Sequence, residues 1–119
     1  ALGALGLDGT VPVSGQDGVQ TSVNRFALGT QTVSVWKDAR DLGKAAGEIA
    51  SQLAEGTAMD AVPGAVKWAD GPNKVEMNAI FLKPVPVTRD NLNLVIDAGW
   101  VSKEVVCQGV AAGTVAACN

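Results

Sequence analysis

Histidine is absent from the 119 residues. That removes Ser-His-Asp and Cys-His catalysis together, along with the commonest zinc ligand. No run of ~18 uninterrupted apolar residues occurs, so a membrane-spanning helix is excluded. Lysine and arginine number only nine against twelve acids, and a net charge of −3 argues against a nucleic-acid partner. Internal repeats, charge blocks and low-complexity tracts are also missing. What is present suits a folded chain of about one domain: 47% hydrophobic and 18% charged residues exclude disorder.

Residues 1–7, Ala-Leu-Gly-Ala-Leu-Gly-Leu, have no basic region and no small-residue cleavage site. They read as the tail of a helix entering the turn Asp8-Gly9. A mature secreted chain can begin this way, and so can a fragment cut within an element, which is the favoured reading. Thr10 to Ser14, with Val11 and Val13 around Pro12, reads as a short strand. The apolar spacing Val19, Val23, Phe26, Ala27 predicts a helix stopped by Gly29. Thr30 to Trp36, rich in β-branched residues, predicts a second strand. A strand–helix–strand unit with short connections implies neighbouring parallel strands.

A longer helix follows, started by Asp38 or Asp41 and ended at Gly56, with an apolar stripe of Leu42, Ala45, Ala46, Ile49 and Leu53. Its Gly43 and Gly47 suggest close packing on a sheet. Val66 to Trp68 and Lys74 to Leu82 read as a hairpin around Asp70-Gly71-Pro72-Asn73. Lys83 to Val87 must be extended, because each proline keeps its predecessor out of the helical region. Asp90 is read as the cap of a final helix, Asn91 to Ala98, stopped by Gly99.

The two cysteines, Cys107 and Cys118, fall near the end of the chain. They are either small buried hydrophobes or a disulfide closing a short terminal loop, worth ~3 kcal/mol. The segment between them lacks a clear pattern and would fray unless tied, which favours the disulfide and an oxidising compartment. Trp36, Trp68 and Trp100 are read as packing residues, and strand alternation turns Trp36 away from the face that Lys37 uses.

Asp17 lies past the end of the first strand, and Lys37 ends the second. In an open parallel sheet, ligands bind beyond the carboxyl ends of strands. A carboxylate beside an ammonium offers acceptors and donors to a polyol, although the same pair could be a plain surface ion pair.

Val11-Pro12-Val13-Ser14-Gly15-Gln16-Asp17 and Ala27-Leu28-Gly29-Thr30-Gln31-Thr32-Val33-Ser34-Val35-Trp36-Lys37 resemble the late part of periplasmic xylose-binding proteins. Those belong to the type I sugar-binding proteins that feed ABC importers. The stretch Asn91 to Trp100 is similar to that family's last helix and turn, while the resemblance is loose across Thr57 to Asn73. It implies an α/β, parallel-sheet, two-lobed fold, present here as an incomplete C-terminal fragment. Residues 1–37 would form a strand–helix–strand of the C-terminal lobe. Residues 38–82, helix plus hairpin, would pack mainly on the N-terminal lobe. Residues 83–119 would supply the return hinge, the final helix and a disulfide-tied tail.

By the same resemblance Asp17 bonds sugar hydroxyls and Lys37 donates to the sugar near the hinge, with Gln16 adjacent but outside the contacts. The implied ligand is a monosaccharide, D-xylose or a related aldose, held without chemical change and with no cofactor or metal. The implied partners are the missing N-terminal portion of the same protein and an ABC permease, in the periplasm. A second reading is the sugar-sensing effector domain of a transcription regulator of the same fold, against which the cysteine pair speaks. An enzyme such as a glycosidase needs two carboxyls at a set separation, and nothing places Asp97 or Glu104 near Asp17.

Overall fold

A strand's successive side chains point to opposite faces, and the run ending at Trp36 buries one face, Ser34 and Trp36, at the centre of a sheet. The computed structural model describes residues 1–119. In chain order its main elements are β1 (Ser14–Gln16), α1 (Gln20–Leu28), β2 (Val33–Trp36), α2 (Ala39–Ala54), β3 (Val66–Trp68), β4 (Met77–Ala79), β5 (Val85–Val87), α3 (Asn93–Asp97) and α4 (Lys103–Val106). They fall into two compact units, Ala1–Asp38 with Pro84–Asn119, and Ala39–Lys83. No helix is long and apolar enough to cross a membrane.

The first unit holds a three-stranded sheet in the order β1-β2-β5. β1 and β2 run parallel, with Ser14 opposite Val33 and Gln16 opposite Val35, as the short crossover through α1 requires. The expected parallel pairing of β1 and β2 forms, and the extended Lys83 to Val87 segment adds β5, which pairs antiparallel with β2, Trp36 opposite Val85 and Ser34 opposite Val87. The segment is extended, as its prolines demand. Pro86, which has no N–H to give, is tolerated because β5 is an edge strand.

β1 also begins later than the Thr10 to Ser14 reading. The N–H groups of Thr10 and Val11 are taken by the Leu7 carbonyl at 3.2 and 3.0 Å, and Pro12 has none. Pairing to the neighbouring strand therefore starts only at Val13, whose carbonyl accepts from Thr32 at 3.0 Å. The expected helix tail at residues 1–7 is a single 3-10 turn, Gly3–Leu5.

Helix α1 begins after Val19 in extended conformation and buries Ser22, Val23, Phe26 and Ala27. Gly29, at φ 79°, ends it by donating to the Arg25 and Phe26 carbonyls, a left-handed position that suits glycine. Val23 and Phe26 join Trp36, Val87, Leu92, Val95, Val101, Val106 and Val115 in one core. Each fully buried side chain of this kind contributes ~1.5–3 kcal/mol.

The helix expected from Asn91 to Ala98 is split, and its cap is Thr88 rather than Asp90. The Thr88 hydroxyl accepts from the Asp90 N–H, and the Asn91 side chain accepts from the Thr88 N–H at 2.8 Å. This reciprocal cap starts a 3-10 turn, Arg89–Asn91, that leads into α3. Gly99, at φ 64°, ends α3 as expected. The short α4 went unread, since four residues carry no periodicity. Its cap is Ser102, whose hydroxyl accepts from Val105 at 3.4 Å. The Glu104 carboxyl in its first turn is held below the ordinary carboxylate range, chiefly by its own backbone N–H and then by the Ser102 hydroxyl.

Cys107 and Cys118 form a disulfide, with Cα atoms 5.6 Å apart. It closes the tail on itself while Asn24 of α1 donates to the carbonyls of Val106 and Gln108 at 3.0 and 2.9 Å. Val115 and Ala117 between the cysteines are thereby held in the core.

In the second unit β3 and β4 pair antiparallel, Val66 opposite Ala79 and Trp68 opposite Met77, so the expected hairpin forms with a shorter second arm. Trp68 meets Phe81 edge-on, ring centroids 6.1 Å apart. Val62 is the unit's buried apolar side chain. Helix α2 forms where the apolar stripe places it, yet none of its residues is buried. The close packing expected at Gly43 and Gly47 is not made, for a Cβ at either would meet nothing within 4 Å.

Two outcomes follow from this division. Amide exchange in α2 should approach that of a frayed helix while Phe26 and Trp36 exchange slowly, and equal protection at Ile49 and Phe26 would contradict the burial pattern. Replacing both cysteines by serine should lower unfolding free energy by ~3 kcal/mol in urea, and an unchanged midpoint would remove the disulfide from the stability of the tail.

Candidate functional site

Alternation along β2 fixes the chemistry at its carboxyl end. Ser34 and Trp36 face the core, at 0% and 9% exposure, so Val35 and Lys37 face the other way. The Lys37 ammonium lies 3.2 Å from the Asp17 carboxylate, with side-chain exposures of 39% and 59%. The structure therefore brings together the two residues singled out in the sequence. Each stands one position past its strand, and the strands are parallel neighbours.

Asp17 is held in an unusual backbone state, φ 69°. A non-glycine residue in the left-handed region carries a penalty of ~1–2 kcal/mol. Three hydrogen bonds hold it there. The Asp17 N–H donates to the Val35 carbonyl at 2.8 Å. The next N–H, of Gly18, donates to the buried Ser34 hydroxyl at 3.1 Å. The Gly18 carbonyl accepts from the Trp100 indole at 2.8 Å. Gly18 itself has φ 60°, and a Cβ there would lie 2.9 Å from the Trp36 ring.

The exposed ion pair is worth at most ~1 kcal/mol, which does not offset the backbone penalty with any margin. The turn is thus set by its hydrogen bonds and by packing on Trp36, and the carboxylate and ammonium are left accessible. Their chemistry suits a polyol: the carboxylate accepts from hydroxyls, and the ammonium donates to hydroxyl oxygens. No group of three or more Cys, Asp or Glu side chains is arranged to hold a metal ion.

Trp36 packs in the core, with its ring 6.0 Å from that of Trp100. Sequence reasoning found Asp17 and Lys37 but missed the supports. Gly18 is visible in retrospect as the glycine after Gly-Gln-Asp. Ser34 looked like an ordinary strand residue, and Trp100 carried no signal of contact with a residue 82 positions away.

Gly18→Ala should destabilise the protein by ~2 kcal/mol in urea denaturation, because alanine must adopt the left-handed state and displace the Trp36 ring. Wild-type stability in that variant would mean that the turn is not confined as described.

No family model matches the chain. Two characterised proteins do. The D-xylose-binding periplasmic protein of Haemophilus influenzae is 35% identical over 107 residues, which cover 89% of this chain and 31% of that protein. The D-xylose-binding periplasmic protein of Escherichia coli is 46% identical over 56 residues, 47% of this chain and 17% of that protein. Both are named as binding proteins rather than enzymes. The chain spans about a third of the length of the Haemophilus influenzae protein. The resemblance carried by the Gly15–Asp17 and Gly29–Lys37 stretches holds along most of the sequence, and the chain is similar to the D-xylose-binding periplasmic proteins.

Proposed function

We propose that this chain is part of a periplasmic sugar-binding protein of the type I fold, in which Asp17 and Lys37 bind hydroxyls of a monosaccharide, D-xylose or a related aldose. One observation carries the reading: a half-exposed carboxylate, fixed in a left-handed turn, stands 3.2 Å from a lysine at the carboxyl ends of adjacent parallel strands. Backbone strain of this kind persists where surrounding structure over-determines it, and it concentrates at ligand sites. The names of the two relatives support the same ligand class. The Cys107–Cys118 disulfide suits the oxidising periplasm.

In this reading residues 1–37 belong to the C-terminal lobe, residues 38–82 pack mainly on the N-terminal lobe, and residues 83–119 return through the hinge and end in the tied tail. In support, the chain passes between its compact units at Asp38–Ala39 and again at Lys83–Pro84. The apolar stripe of α2, with none of its residues buried, is what a helix shows when its sheet belongs to the N-terminal portion of the same protein. Sugar bound between the lobes favours the closed state by its greater affinity for that state, and the closed form is delivered to an ABC permease.

The test is calorimetry together with ¹⁵N NMR titration of the full chain with D-xylose, D-glucose and L-arabinose. D-xylose should shift the amides of Asp17, Gly18 and Lys37. Asp17→Ala should weaken binding ~10-fold or more, because it removes charge-assisted hydrogen bonds and leaves Lys37 unpaired. Absence of heat and of shifts with all three sugars would sink the proposal.

A further inference from the structure

We infer that Trp100 is a positioning residue for the Asp17–Lys37 pair: its indole N–H holds the Gly18 carbonyl and so fixes the turn that aims the Asp17 carboxylate. The inference rests on the reading of Asp17 and Lys37 as the sugar-binding pair.

Two of the three bonds on this turn come from β2. Val35 and Ser34 hold the N–H groups of Asp17 and Gly18, and these contacts follow from the pairing of β1 with β2. They do not reach the Gly18 carbonyl, which lies between this turn and Val19, the residue just before α1. The Gly18 carbonyl is held from outside the sheet, by Trp100 at 2.8 Å. Trp100 reaches it because Gly99, at φ 64°, turns the chain after α3, and the Trp100 N–H donates to Val95 at 2.9 Å.

The two indoles divide the work. Trp36 lies against the Cα of Gly18, and its Nε1–H makes no hydrogen bond, so it acts by packing alone. Trp100 touches Trp36 with ring centroids 6.0 Å apart and adds the directional bond. Removing the Trp100 indole N–H while keeping an aromatic ring therefore releases the Gly18 carbonyl and leaves the core in place.

The experiment uses the ¹⁵N-labelled full chain, wild type and Trp100→Phe, with amide exchange and D-xylose calorimetry as readouts. In Trp100→Phe the Gly18 N–H, which donates to Ser34, should exchange ~10-fold faster, while those of Val23 and Val95 keep their rates. The Kd for D-xylose should rise about fivefold, the loss of one neutral hydrogen bond. Added to Asp17→Ala, the Trp100→Phe change should weaken binding no further, since its effect passes through that carboxylate. The exchange of the Trp100 indole N–H in the wild-type chain gives a reading that needs no variant, and it should be slow.

Unchanged Gly18 exchange in Trp100→Phe, or a fast-exchanging Trp100 indole in the wild type, overturns the inference whether or not the sugar binds. Wild-type affinity in Trp100→Phe, alongside a defective Asp17→Ala, overturns the inference and leaves the reading of the pair intact. Failure of the wild-type chain to bind D-xylose overturns that reading, and with it the ligand role given to Trp100.

Discussion

Alternation along β2 is the constraint on which the first unit depends. Ser34 and Trp36 point inward, Val35 and Lys37 outward. The inward pair meets Gly18, one through a hydroxyl and one through a ring, while the outward lysine meets Asp17. Both sides of the strand thus act on the same two-residue turn. A slip of one residue would send Lys37 into the core and Trp36 into water, and would destroy the turn and the core together. Strand register and site geometry are therefore a single structural fact.

Stability and the proposed binding chemistry sit in different places. The buried apolar side chains of α1, β2, β5 and the α3–α4 region supply the favourable free energy, and the disulfide restrains the tail. The Asp17–Lys37 pair contributes little to folding, and the left-handed Asp17 works against it. The two residues that face solvent with complementary charge are held by a scaffold whose stability does not need them. That arrangement leaves their hydrogen-bonding capacity available for another molecule.

The parts of the fold that could be read in the sequence are those set by local pattern. The unit from β1 to β2 follows from helical spacing between two β-branched runs, and with it the adjacency of Asp17 and Lys37. Gly29 and Gly99 mark helix ends because the left-handed state needs them. What escaped was non-local or too short. The prolines of Lys83 to Val87 require an extended chain but do not name its partner, so the antiparallel pairing of β5 with β2 stayed hidden. Thr88 took the capping role given to Asp90 because its hydroxyl and Asn91 form a reciprocal pair. For α2 the helix was legible, while what covers its apolar stripe was not.

The bond between Trp100 and Gly18 joins residues 82 positions apart, and Asn24 reaches Val106 across the same separation. Chain synthesis makes residues 17–18 long before it makes residue 100, and domains form as their last contacts become available. β1, α1 and β2 can associate early, since their contacts are local, but the Gly18 carbonyl waits for the closing part of the chain. The entropy of closing so long a loop must be met before that bond can form. The Asp17–Gly18 turn is thus made well before the residue that completes it, so its final geometry registers that the whole unit has folded.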